Sequence, residues 1–277
     1  MSAVTEGPLV HPSSHGLRHD RLPHIWCPGC GLGVVASTFM RAVESSGIPR
    51  ERHVVVSGIG CTGRTAGYLD LDGFHTTHGR ALPFATGLKT ADPNLQVTVI
   101  SGDGDLFAIG GNHFIHAGRR NIDLRVICVN NFNYGMTGGQ FGPTTPGGAR
   151  TSTSPQGQQE PSFNLPYLAA AVGAVYVARW TVLHVRQLER AFRESFGRKG
   201  LTFIEVLSPC PVGYGKMNDL SEGIAEMNLY REQCVVDHAA PLEGLGIDLK
   251  HDSPIVLGTF VDRAAAAGQA PAGRGGR

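Results

Sequence analysis

Three short apolar runs in this chain end in residues able to hold a charged ligand. HVVVS (53–57) runs into Gly58-Ile59-Gly60-Cys61, QVTVIS (96–101) into Gly102-Asp103-Gly104-Asp105, and LRVICV (124–129) into Asn130-Asn131. Asp103 and Asn131 offer a carboxylate and an amide oxygen. A small number of hard oxygen donors with open positions suits a magnesium ion bound to a diphosphate. Gly102 and Gly104 would let the backbone approach phosphate groups, and a helix opening after Gly104 would aim free N–H groups at them. Taken alone, Gly-Asp-Gly is a common turn. The second strand end, Asn-Asn, shifts the balance toward a site.

Six cysteines are present: Cys27, Cys30, Cys61, Cys128, Cys210 and Cys234. Cys27-Pro-Gly-Cys30 by itself reads equally as a redox pair, a zinc half-site or an iron–sulfur half-site. Cys61 stands at a strand end beside the expected diphosphate, and Cys210 follows another apolar run, TFIEVLSPC. Four thiolates can hold one [4Fe–4S] cluster, and zinc fits the same count. Cys128 lies inside an apolar strand and reads as core. Cys234 receives no role.

These residues need a frame. Strands are expected at HVVVS, QVTVIS, LRVICV and TFIEVL. They alternate with helical patterns after Cys30 (LGVVASTFMRAVESSG) and over 79–91, 105–118, 164–172 and 183–196. That alternation predicts an α/β fold, a mostly parallel sheet covered by helices on both faces. Ligands in such sheets sit beyond the carboxyl ends of the strands, which puts Cys61, Asp103 and Asn131 on one rim. Residues 134–160, rich in Gly, Thr, Pro and Gln, form a long loop of the kind that covers a site. Residues 1–22 are expected to be a flexible arm and 23–216 the binding domain. Residues 217–277 read as a C-terminal extension whose last part is disordered.

The chain has 277 residues, is 41% hydrophobic and carries a formal charge of +1. That allows one sizeable core and gives no basic excess for nucleic acid or an anionic membrane surface. No apolar run reaches the length of a membrane span, and the N-terminus lacks an apolar signal core. A cytoplasmic location is expected, where a disulfide framework is not.

The ordered set WCPGCG (26–31), GIGCTG (58–63), HTTHGRALPFATGLK (75–89), GDGD (102–105), NNFNYGMTGGQFGPTT (130–145) and SPCP (208–211) resembles the β subunit of 2-oxoacid:ferredoxin oxidoreductases, most of all the 2-oxoglutarate type. The resemblance implies the thiamine diphosphate-binding, diphosphate-domain type of fold. It implies side-chain ligation of Mg2+ by Asp103 and Asn131 and a third ligand from the backbone carbonyl of Asn133. Ile59, Gly60, Cys61 and Thr62 would touch thiamine diphosphate, and Gly104, Asp105, Gly135 and Met136 would line its diphosphate. His78 would face the cofactor as a catalytic residue, against the alternative of a hydrogen-bonded histidine at a helix start. Arg80 would steer an acidic substrate or serve a structural ion pair. Cys27, Cys30, Cys61 and Cys210 would hold a single [4Fe–4S] cluster, since the tandem ferredoxin run is absent.

The implied activity is coenzyme A-dependent oxidative decarboxylation of a 2-oxo acid, 2-oxoglutarate favoured, to acyl-CoA and CO2. Electrons would pass through the cluster to ferredoxin, and the reaction could also run in reverse. Thiamine chemistry also calls for a glutamate on the aminopyrimidine ring, expected from an α subunit that supplies a second domain. Small γ and δ subunits are possible further partners. The same chemistry on pyruvate, branched-chain or aryl 2-oxo acids, a non-oxidative decarboxylase with structural zinc, and a non-catalytic iron–sulfur subunit stay open as alternatives.

Overall fold

Along residues 125–130 the side chains alternate between two apolar layers, Val126 and Cys128 entering one and Ile127 and Val129 the other. A strand buried on both faces has this property, and the computed structural model places it near the middle of an eight-stranded sheet. The structure describes residues 12–220, 222, 224–248 and 254–263. The strands are β1 (His53–Ser57), β2 (Asp72–His75), β3 (Gln96–Gly102), β4 (Arg125–Asn130), β5 (Tyr176–Thr181), β6 (Thr202–Leu207), β7 (Cys234–Val236) and β8 (Ile255–Asp262). Their order is β2-β1-β3-β4-β6-β5-β8-β7. All neighbours are parallel except β5 and β8. The chain moves from β1 outward to β2, then crosses to β3 on the other side, so the order reverses at the β1–β3 gap. Such a reversal opens a crevice at the carboxyl ends.

Helices α1 (Leu32–Glu44) and α6 (Val185–Phe196) cover one face. Their apolar stripes meet through Phe39, which packs edge-on against Phe192 and Phe196, each at 6.0 Å. Helices α3 (Ala81–Ala91), α4 (Gly111–Arg119) and α5 (Leu165–Ala171) cover the other face. The side chain of Asn164 caps α5 by accepting from Tyr167 N, and Pro166 sits in its first turn, where a missing N–H costs nothing. A short α2 (Thr65–Tyr68) follows β1.

The helix expected over 105–118 is two pieces, a wide π-type turn over Gly104–Ile109 and then α4. Where four strands are expected, the described residues form eight. Strand β2 has every residue exposed and carries no apolar alternation. Strand β5 hides Arg179 inside the sheet, where its guanidinium meets Glu205 of β6 at 2.6 Å. The C-terminal extension contributes α7 (Ala225–Gln233) and the sheet-edge strands β7 and β8. Its low-complexity end lies outside the described residues. Part of the expected flexible arm is pinned. Leu17 bridges Leu69, and the Arg18 guanidinium donates to the carbonyls of Leu69 (2.9 Å) and Leu71 (2.7 Å). Residues 1–11 lie outside the described set. Among the described residues no helix is long and apolar enough to cross a membrane.

Candidate functional site: two adjoining cavities at the strand ends

A cavity of about 100 Å³ opens where β1, β3 and β4 end. Ile59, Gly60, Cys61, Thr62, His78, Asp103, Gly104, Asp105, Asn131, Asn133, Gly135 and Met136 all line it. The parallel register carries them there: Val56 of β1 pairs with Val99 of β3, and Gly102 of β3 pairs with Val129 of β4, so the three loops leave the sheet on one rim.

Asp103 is buried, only 2% exposed. The hydroxyl of Thr144 donates to its Oδ2 at 2.5 Å. Among the described residues no cationic side chain pairs with it. Burial pushes its carboxyl up to about 6, against the pull of the Thr144 hydrogen bond and of the Asp103 and Gly104 amides. The buried Glu205 raises it further. A buried carboxylate without a positive partner is costly, and a bound cation relieves that cost.

Asp105, two residues on, is arranged in the opposite way. Its Oδ1 accepts from Gly79 N (2.7 Å), Ile59 N (3.1 Å) and His78 Nδ1 (2.5 Å), and its Oδ2 accepts from Ser101 Oγ (2.8 Å). It also fills the space where a Cβ on Gly58 would stand. The family resemblance implies that Asp105 lines the diphosphate. In the structure it borders the cavity, but its carboxylate is turned to pin the β1, β3 and pre-α3 loops together. The reason is electrostatic: an acid facing a diphosphate repels it, whereas one facing three N–H groups organises them. His78 sits two residues before Arg80, the residue that opens α3; it is hydrogen-bonded there to Asp105 and it also lines the cavity. Arg80 is exposed and makes no ion pair among the described residues.

Beyond β4 the backbone kinks. Phe132 adopts φ of 63°, a left-handed conformation that is strained for a bulky side chain. It is held there by burial against Tyr214 (5.3 Å between rings), by Phe132 N donating to Asn130 Oδ1 (3.0 Å) and by Thr145 Oγ1 donating to Phe132 O (2.6 Å). The kink brings Asn131 and Asn133, on either side of Phe132, to the same cavity, and Asn133 Nδ2 donates to Asn131 O at 2.6 Å. The ring of Tyr134 occupies the space beside Gly104. The glycine there therefore serves this packing, as well as the approach to a ligand.

A second cavity, of about 300 Å³, is lined by Cys27, Cys30, Cys61 and Cys210. The four cysteines come from three places: the loop before α1 supplies two, the end of β1 one and the end of β6 one. Trp26 ties the first loop to the second by donating its indole N–H to Cys61 O at 2.8 Å. Burial raises the Cys30 thiol to about 12 and Cys61 to about 11, and it raises Cys210 as well. Cys27 is exposed, Cys128 is fully buried in the sheet, and Cys234 opens β7. Among the described residues no three His, Cys, Asp or Glu side chains close on a single point as ligands of one ion would.

Sequence reasoning missed Thr144, Asn130, Tyr134 and Glu226. The carboxylate of Glu226, in α7, accepts from Cys210 N at 3.1 Å and is raised by burial to about 7. Thr144 lies inside the run NNFNYGMTGGQFGPTT, but nothing in its spacing ties it to Asp103. No glutamate lines the first cavity.

Residues 58–206 match the family described as thiamine pyrophosphate enzyme, C-terminal TPP binding domain. The chain is 49% identical to the 2-oxoglutarate synthase subunit KorB of Methanocaldococcus jannaschii, over 91% of this chain and 93% of that protein. It is 38% identical to the 2-oxoglutarate oxidoreductase subunit KorB of Mycobacterium tuberculosis, over 84% of this chain and 58% of that one. Among solved structures it is similar to a 2-oxoglutarate:ferredoxin oxidoreductase from Magnetococcus marinus with 2-oxoglutarate, coenzyme A and succinyl-CoA bound. The TM-score is 0.79 and the identity 27%, covering 94% of this chain and 92% of that one. With its matching domain, a relative aligned over nearly the whole of both chains and its two cavities at the strand ends, the chain belongs to the thiamine pyrophosphate enzymes, in the family of 2-oxoacid:ferredoxin oxidoreductase β subunits.

Proposed function

We propose that this chain is the β subunit of a heteromeric oxidoreductase that converts 2-oxoglutarate and coenzyme A to succinyl-CoA and CO2, passing electrons to ferredoxin. The observation that carries this reading is the shared wall of the two cavities. Cys61, Asn131, Gly135 and Met136 line both, so a group in the first lies next to a redox centre in the second. Residues 23–216 form the binding unit, and the extension from 217 completes the sheet edge.

The first cavity fits the diphosphate end of thiamine diphosphate with its magnesium. Asp103 supplies the charge a cation needs, Asn131 a second side-chain oxygen and Asn133 a backbone carbonyl. Ile59 to Thr62, Gly104, Gly135 and Met136 form the walls, and Asp105 acts through the loops it pins. The second cavity fits one [4Fe–4S] cluster. Its lining carries four cysteines, the number that holds one such cluster, beside a volume large enough for several atoms. Burial raises the thiols of Cys30, Cys61 and Cys210, so they need positive charge to ionise, and iron supplies it. When bound, thiamine diphosphate serves as the electron sink for decarboxylation, and the cluster as a one-electron acceptor beside it.

His78, fixed through Nδ1 by Asp105, has its second ring nitrogen left for the cavity. The acids lining the cavity are both aspartates, so the glutamate for the aminopyrimidine ring comes from the α subunit. The test is co-expression with the partner subunits under anaerobic conditions. Coenzyme A-dependent viologen reduction is then measured across a panel of 2-oxo acids, with iron and zinc content. Preference for 2-oxoglutarate, with iron in the protein, supports the reading. Turnover by this chain alone, or zinc in place of iron, overturns it.

A further inference from the structure

A line of buried polar side chains runs beneath the strand ends and leaves the first cavity altogether. It begins in the C-terminal extension, where Leu245 O accepts from Arg179 Nη1 at 2.7 Å. Arg179 Nε donates to Glu205 Oε2 at 2.6 Å, and Asn130 Nδ2 donates to Glu205 Oε1 at 2.8 Å. Asn130 Oδ1 lies 2.9 Å from Thr144 Oγ1, which donates to Asp103 Oδ2 at 2.5 Å. The five side chains come from β5, β6, β4, the 134–160 loop and the end of β3. All are at most 2% exposed.

The chemistry of each link is fixed by its neighbour. Arg179 can only donate, so Glu205 Oε2 accepts from it, and Glu205 Oε1 accepts from Asn130. That orients the Asn130 amide with its N–H2 toward Glu205 and its oxygen toward Thr144, an orientation that Phe132 N, donating to the same oxygen, reinforces. The Thr144 hydroxyl then stands between two acceptors with a single proton. The closer and charged one, Asp103, receives it.

We infer that Thr144 is a positioning residue for the metal-binding aspartate: its hydroxyl clamps one carboxylate oxygen of Asp103. This rests on the reading of Asp103 and Asn131 as the magnesium grip. It adds that the grip is set from outside the cavity, by a residue of the covering loop. A carboxylate free to rotate loses the entropy of that freedom when it binds a cation, whereas a clamped one has already lost it. Groups in this outer position typically change metal affinity by about 10–100-fold.

The experiment measures Mn2+ as a stand-in for Mg2+, by the paramagnetic resonance signal of the free ion, on the assembled complex with thiamine diphosphate. Thr144→Val keeps the shape and removes the hydroxyl, and it should weaken Mn2+ binding by about 10–100-fold. Thr144→Ser should restore it, and metal-free melting should be similar in both. If Thr144→Val does not assemble, Thr144→Ala against Thr144→Ser makes the same comparison. Wild-type affinity in the variant lacking the hydroxyl, or no rescue by serine, overturns the positioning role. Asp103→Ala separates the two levels. If it loses Mn2+ while Thr144→Val does not, only the positioning role fails. If Asp103→Ala still binds Mn2+ normally, the magnesium reading fails and the positioning role with it.

Discussion

Cys61, Asn131, Gly135 and Met136 line both cavities, yet the donors on the two sides of that wall are held in different ways. On the oxygen side, Asp103 and Asn133 are buried; Thr144, which donates to the first, is buried too, and Asn131, whose carbonyl accepts from the second, is half-buried. On the sulfur side the thiols reach from three separate loops, and Cys27 is exposed. What holds those loops is backbone: Trp26 on Cys61 O, and Glu226 on Cys210 N. One cavity is organised by the fold before a ligand arrives. The other gathers segments that a cluster would bind together. Metal sites of the second kind draw part of their order from the metal itself.

The sharpest way to break the comparison is to remove one side only. Asp103→Ala should abolish Mg2+-dependent retention of thiamine diphosphate, a loss of about 100-fold or more, while leaving the iron content intact. Because burial makes the ionised carboxylate costly in the metal-free chain, the same change should leave the metal-free melting temperature equal or higher. What disappears is the rise on adding Mg2+ and cofactor. A variant that melts lower and also loses iron would show that the oxygen side supports the sulfur side.

Cys210→Ser is the reciprocal test. It should lose the iron and its visible absorbance but keep Mg2+-dependent cofactor retention. Cys210 Sγ lies 3.8 Å from Asn133 Oδ1, so this is the variant by which damage would cross the wall. Iron analysis and cofactor retention on one preparation decide it.

These contrasts also explain what could be read from the sequence. The rim positions of Cys61, Asp103 and Asn131 followed from β-branched runs ending in Gly, Asp and Asn, because buried parallel strands announce themselves by composition. Strand β5 did not, since Arg179 interrupts its apolar pattern and the Glu205 that neutralises it lies on another strand. Strand β2 is four exposed residues recognisable only by pairing with β1. Within the site, residue types suggested metal and cofactor ligands but could not say which way a carboxylate turns. Asp103 and Asp105 look equivalent in Gly-Asp-Gly-Asp. Only the fold shows one with four donors and the other with a single side-chain donor. Thr144 was invisible for the same reason: its partner is 41 residues away and met only through the loop.

The Asp105 hub gives a smaller and purely structural test. A Cβ at residue 58 would overlap the Asp105 carboxylate. Gly58→Ala should therefore destabilise the chain by about 1–3 kcal/mol, at about 2–4 °C of melting temperature per kcal/mol. It should also weaken cofactor binding, because Ile59 and His78 hang on the same carboxylate. The cysteine side should keep its iron. An unchanged melting temperature would mean that the hub yields without cost, and that the oxygen side is less rigid than the buried bonds imply.

The smallest expected effect is a pH dependence confined to the oxygen side. Burial raises Asp103 from 3.8 to about 6. Between those values the folded metal-free chain binds more protons than the unfolded chain, so this group makes stability fall as pH rises from about 4 to about 6, with no further change above. A cation reverses the sense. It competes with the proton for the same carboxylate, so Mg2+ affinity should climb with pH through about 6, by up to about tenfold per unit, and then level off. Melting curves with and without Mg2+ and thiamine diphosphate, taken on either side of that value, should diverge as pH increases. Asp103→Asn should flatten the metal-free slope, since an amide does not titrate. If the slope survives in that variant, another buried acid sets it. Glu226, raised to about 7 beside Cys210, would then be the group to replace, and the pH-sensitive side of the wall would be the one that holds the cysteines.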